Sequence, residues 1–164
     1  MMIGTFGRHL IAVPLLLLAG CSPDVSKPGV SDDLGKLRGI IELQIPAKSV
    51  RWETFGTPEY TGGVPGPTFL ITLVAELQAD KSWFEEQKDP TGSIYIAPES
   101  ARTWLSEDLR QILDKDRGGK VDLSNKANCR KFTTTLKKTG EPLEGFVCSR
   151  ADRILLHLTI WSEQ

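Results

Sequence analysis

The chain has 164 residues, 25 % of them charged and 40 % hydrophobic, and its 20 Lys and Arg against 21 Asp and Glu leave a formal net charge of −1. A near-neutral chain of this length lacks the basic excess of a nucleic-acid binder and suits one domain better than two. Three cysteines and two histidines also leave few soft ligands for a metal centre.

The first element is a leader. Arg8 precedes a Leu-rich stretch from Leu10 to Leu18 and the small residues Ala19-Gly20, then Cys21. That stretch is too short to span a bilayer as a helix and has the layout of a secretory signal. The run Leu18-Ala19-Gly20-Cys21 resembles the lipobox of a bacterial lipoprotein signal. The resemblance implies removal of residues 1–20, diacylglycerol on the Cys21 thiol, and a membrane partner reached through that lipid. Ser22 in place of Asp after the cysteine implies, by the enterobacterial sorting rule, an outer-membrane address facing the periplasm. Each buried acyl methylene contributes about 0.8 kcal/mol, and two chains hold far better than one.

Residues 21–37 are rich in Ser, Pro, Asp and Gly and read as the lipidated cysteine and a flexible tether, ahead of a single domain over 38–164. Ile41, Leu43 and Ile45 alternate with polar neighbours, as do Val50, Trp52 and Thr54. Strands are therefore predicted over about 38–45 and 49–55, joined at Pro46-Ala47-Lys48. The apolar run from Thr68 to Leu77 reads as a central strand buried on both faces.

Asp80 is placed to cap a short helix ending near Gln87, and a brief strand follows from Ser93 to Ala97. Pro98 then opens a helical pattern carried by Ala101, Trp104, Leu105, Leu109, Ile112 and Leu113, with a second candidate cap at Ser106 and an end at Gly118-Gly119. Asn128, the spacing of Cys129, Phe132 and Leu136, and the terminal Lys137-Lys138 and Gly140 predict a helix over 128–138, against the strand preference of Thr133-Thr134-Thr135. Glu144 to Ser149 and Ile154 to Trp161 read as a closing hairpin. The expected fold is α+β: a mostly antiparallel sheet with terminal β-hairpins, covered by two or three helices, mainly on one face.

With Cys21 taken by lipid, Cys129 and Cys148 remain as an even pair in an exported, oxidising compartment, and a disulfide between them is expected. The mature part keeps one histidine, His157, on the last strand; a hydrogen-bonded structural role and a catalytic base are both open to it. No Gly-x-Ser-x-Gly or His-Glu-x-x-His signature occurs. Asp114-Lys115-Asp116 begins like a calcium loop, but Asn125 stands at its twelfth position, and Lys115, Arg117 and Lys120 put positive charge where a cation would sit. Neither a metal nor a cofactor is expected.

The stretch from Gly56 to Pro67 holds four glycines and three prolines. With Trp52, Phe55, Tyr60, Gly62 and Gly63 it is either a preorganised contact surface for a protein or glycan or a long sheet crossover whose aromatics are core. Two functions remain open. One is a lipid-anchored envelope protein that binds a partner without catalysis, in the architectural manner of periplasmic inhibitors and immunity-type lipoproteins. The other is a cell-wall or small-molecule hydrolase using carboxylate pairs such as Glu53 and Glu59, whereas Glu85 and Asp89, at helix-face spacing, read as solvated surface.

Overall fold

A computed structural model describes residues 29–59, 69–87 and 93–161. In chain order the elements are α1 (Leu34–Ile40), β1 (Ser49–Thr57), β2 (Leu70–Gln78), α2 (Lys81–Glu85), β3 (Ile94–Ile96), α3 (Glu107–Asp114), β4 (Lys120–Asp122), a 3₁₀ turn (Leu123–Asn125), β5 (Cys129–Thr135), β6 (Pro142–Arg150) and β7 (Arg153–Trp161). The fold is α+β. Five antiparallel strands form one sheet in the order β1-β2-β7-β6-β5, and β3 and β4 pair as a small second sheet.

The apolar run foreseen as the central strand is β2, which lies between β1 and β7 and is buried along most of its length. Alternation then divides the sheet into two faces. On one face Val50, Trp52, Leu73, Ala75, Leu77, Leu156, Leu158 and Phe132 pack with Leu37 of α1, with Ile41 and Ile45 after it, and with Phe84 of α2. On the other, Val74, Leu155, Phe146 and the two strand cysteines pack with Leu109, Ile112 and Leu113 of α3 and with Tyr95 and Val121 of the small sheet. Helices therefore cover both faces, not mainly one. Full burial of each such Leu, Ile or Phe contributes about 1.5–3 kcal/mol.

Gly145 lies where β6 runs against β7, and a Cβ there would collide with the His157 carbonyl. Any side chain at this position would push two central strands apart, which accounts for a glycine inside a strand.

Three local expectations are corrected. Residues 38–45 form no strand: Leu34–Ile40 is helical, with the Asp33 carboxylate accepting from the Lys36 N–H at 2.8 Å. This helix straddles the boundary drawn between tether and domain. Ile41 and Ile45 follow it as an extended stretch that lays its side chains into the core, and Glu42 N–H donates to the Thr135 carbonyl. Residues 128–138 are not helical either. Cys129–Thr135 is edge strand β5, paired with β6, because the β-branched threonines and a partner strand outweigh the spacing of Cys129, Phe132 and Leu136. Finally, the helix expected from Pro98 begins only at Glu107, where Glu107 and Asp108 occupy the first turn and the Ser106 N–H donates to the Glu76 carboxylate at 2.7 Å.

Cys129 and Cys148 stand directly opposite each other on β5 and β6 and form the expected disulfide. The bond closes a loop with a sequence separation of 19. On the chain-entropy account it stabilises the domain by about 3 kcal/mol. Urea unfolding with and without reductant is expected to differ by that amount, and two free thiols in the unreduced, denatured chain would contradict the pairing.

Candidate functional site

Strand β1 carries Glu53 and Phe55 on the face turned toward α3, and Glu59 follows just beyond the cis Thr57–Pro58 bond. Both carboxylates converge on Arg102, a residue only 9 % exposed. Arg102 Nε lies 2.8 Å from Glu53 Oε1 and Nη2 lies 2.9 Å from Glu59 Oε2. Nη1 donates to Ser100 Oγ at 3.1 Å, and the guanidinium carbon sits 3.5 Å from the centre of the Phe55 ring. Such a cation over an aromatic face is held more strongly away from water.

Glu59 is tied down further. Its Oε1 accepts from the backbone N–H groups of Glu99 (2.9 Å) and Ser100 (3.1 Å), and its Oε2 accepts from the Ser100 hydroxyl (2.7 Å). Glu99 returns the bond, its carboxylate accepting from the Glu59 N–H at 3.0 Å. Burial alone would raise the Glu59 carboxyl, but the hydrogen bonds from Ser100 and Arg102 and the Arg102 charge outweigh it and hold the group below its ordinary value. Glu53 accepts in addition from the Trp104 indole N–H at 3.1 Å. The cluster is a charged knot that fastens the end of β1 to the irregular segment before α3.

Beside the knot opens a groove of about 560 Å³. Its floor is set by strand register: Ser49, Gln78 and Arg153 form one row across β1, β2 and β7, and Arg51 and Glu76 begin the next. Trp104 and Ser106 wall one side, and Asp32 approaches Arg51 from the start of the domain. Arg51 and Asp32 meet through two bonds, at 2.7 and 3.1 Å, and the bond from Arg51 lowers the Asp32 carboxyl. Arg153 lies 3.2 Å from Glu76, and Gln78 donates to Asp152 at 3.3 Å. The groove's two arginines are thus each paired with an acid, and Asp152 leaves an excess of one acid over them.

The residues singled out from sequence divide sharply. Trp52 is 5 % exposed, faces the opposite core and donates its indole N–H to the Asp33 carbonyl at 3.1 Å. Phe55 belongs to the Arg102 knot. Glu53 and Glu59, the pair named for a hydrolase, both meet Arg102. Cys21, Tyr60, Gly62, Gly63 and Asp89 lie outside the described residues.

His157 is fully buried and stacks on Phe146, ring centres 4.7 Å apart. Burial pushes its imidazole down to about 4; the nearby Ile96 backbone opposes this only in part, and neither ring nitrogen reaches hydrogen-bond geometry with a partner among the described residues. It is a neutral core side chain at ordinary pH, out of reach of a substrate in solvent. In the calcium-like stretch, Asp114 pairs with Arg117 at 2.7 Å and Asp116 with Lys126 at 2.8 Å. Among the described residues no cluster of His, Cys, Asp and Glu has the arrangement of a metal site.

Sequence reasoning missed Arg102 because it sits off the apolar stripe of the helix expected there, and its partners lie far away in the chain. The only available signal was the nearness of two acids, Glu53 and Glu59, to a segment otherwise apolar and small. Compared with known protein families, curated proteins and solved structures, the chain matches none.

Proposed function

We propose that this chain is a lipid-anchored protein of the bacterial cell envelope that binds a partner, a protein or a glycan, without catalysing a reaction. The observation that carries the reading is the Arg102 knot. The two carboxylates best placed to serve a hydrolase are bound to one guanidinium and to backbone N–H groups, and Glu59 is held ionised. A general acid needs the opposite environment, one that raises its pKa toward the working pH. The groove beside the knot presents paired polar groups next to a tryptophan, which suits recognition. The disulfide agrees with an exported, oxidising location, and the lipobox-like run supplies the anchor.

The anchor is tested by metabolic labelling with palmitate in a bacterial host. The native chain is expected to incorporate label at Cys21 and the Cys21→Ser chain none; label retained by the variant would overturn the lipid-anchor reading. Binding is tested with a photo-crosslinking amino acid at Ser49 in the groove, set against one at the exposed Ile94 of β3, which does not line the groove. A discrete envelope adduct from position 49 and none from 94 is expected. Equal background at both would argue against the groove.

A further inference from the structure

We infer that the groove between Trp104 and the first row of strand residues is a subsite for a neutral oligosaccharide, an inference that rests on the binding reading and names its ligand class. The lining is richer in polar than in apolar groups and opens to solvent, unlike the enclosed apolar pockets that take drug-sized hydrophobic ligands. A ligand dense in hydroxyls matches such a surface. Trp104 sharpens the argument: its indole N–H is already committed to Glu53, so what it offers a ligand is C–H and π surface. That surface complements the C–H face of a pyranose ring.

The charged residues point the same way. Asp32 with Arg51, and Glu76 with Arg153, present acceptors and donors side by side in forks held by their mutual pairing. Neighbouring hydroxyls of a sugar act as donor and acceptor together, so each fork meets a diol without leaving a charge unmatched. The polar row Ser49, Gln78, Arg153 crosses three strands about 4.8 Å apart, close to the advance of one sugar unit along an extended chain. Charge weighs against the polyanionic alternative: three acids, Asp32, Glu76 and Asp152, face two arginines, so a phosphate- or sulfate-rich polymer meets net repulsion.

The test uses the full chain, purified in a sugar-free detergent, on an array of immobilised neutral and acidic oligosaccharides. Calorimetry with the soluble form of any glycan retained then gives the affinity. Binding of a neutral oligosaccharide, weakened at least tenfold by Trp104→Ala and by Arg51→Ala, is expected. Arg51 is half-exposed in a surface ion pair, so its replacement leaves the fold intact even if the tryptophan variant does not fold. No neutral glycan bound, tighter binding of a sulfated one, or unchanged binding by both variants would overturn the inference. A protein adduct from position 49 with no glycan bound would also overturn it, while leaving the binding reading in place.

Discussion

Replacing Arg102 with Leu is expected to destabilise the domain by about 3–5 kcal/mol, the usual consequence of stranding a buried charge. Two carboxylates are stranded here. Glu53 and Glu59 have side chains only 12 % and 13 % exposed, and each loses its nearest cation. Adding Glu53→Gln and Glu59→Gln to the Arg102→Leu variant removes the unpaired charges and is expected to restore much of the loss, because a neutral, hydrogen-bonded core is not penalised in the same way. Urea titration of the native chain, the single variant and the combined variant at pH 7 checks both statements. A single Arg102→Leu variant within about 1 kcal/mol of the native chain would show that the knot contributes little, as an exposed ion pair does.

Stability is expected to fall by roughly 3 kcal/mol between pH 6.5 and pH 4 on account of His157 alone. The sign follows from burial. The folded imidazole titrates at about 4, against 6.5 in the unfolded chain, so the unfolded state takes up the proton first as pH drops. The contribution is complete above pH 6.5 and is lost as pH falls through the folded value. Replacing His157 with Leu, which fits the apolar surroundings of Phe146 and Val74, is expected to flatten this part of the profile and to leave the steeper acid loss of the carboxylates below it. Unfolding free energies measured at half-unit steps of pH distinguish the two proteins. An unchanged slope in the variant would assign the pH dependence elsewhere.

How much of this was readable in the sequence depends on what each segment touches. β2 and β7 were legible because each is a continuous run rich in Ile, Leu and Val, β6 because it faces β7 across the short polar turn at Ala151-Asp152, and the Cys129–Cys148 bond followed from counting cysteines. α1 was obscured: Leu34, Leu37 and Ile41 have helical spacing, but Gly35, Gly39 and a polar, Pro-containing approach look like tether. β5 was misread for a different reason. Cys129 faces one core and Phe132 the other, so the strand buries residues on both sides and loses the two-residue alternation that marks a half-buried strand. The binding candidates fared likewise. Trp52 and Phe55 are adjacent in pattern yet point to opposite faces, one into the core and one under a guanidinium, and only the third dimension brings Arg102 to Phe55.

Glu59 is held as an ionised partner of Arg102, whereas a hydrolase that used it as the general acid would keep it protonated near neutral pH. Carbon-13 NMR titration of the glutamate carboxyls, assigned through Glu59→Gln, measures this directly. The expected result is a Glu59 carboxyl that titrates below the ordinary glutamate range, because Ser100 and Arg102 stabilise the anion, and that moves upward in Arg102→Leu. A Glu59 that titrates at about 6 or higher in the native chain, the range of a working general acid, would contradict the non-catalytic reading.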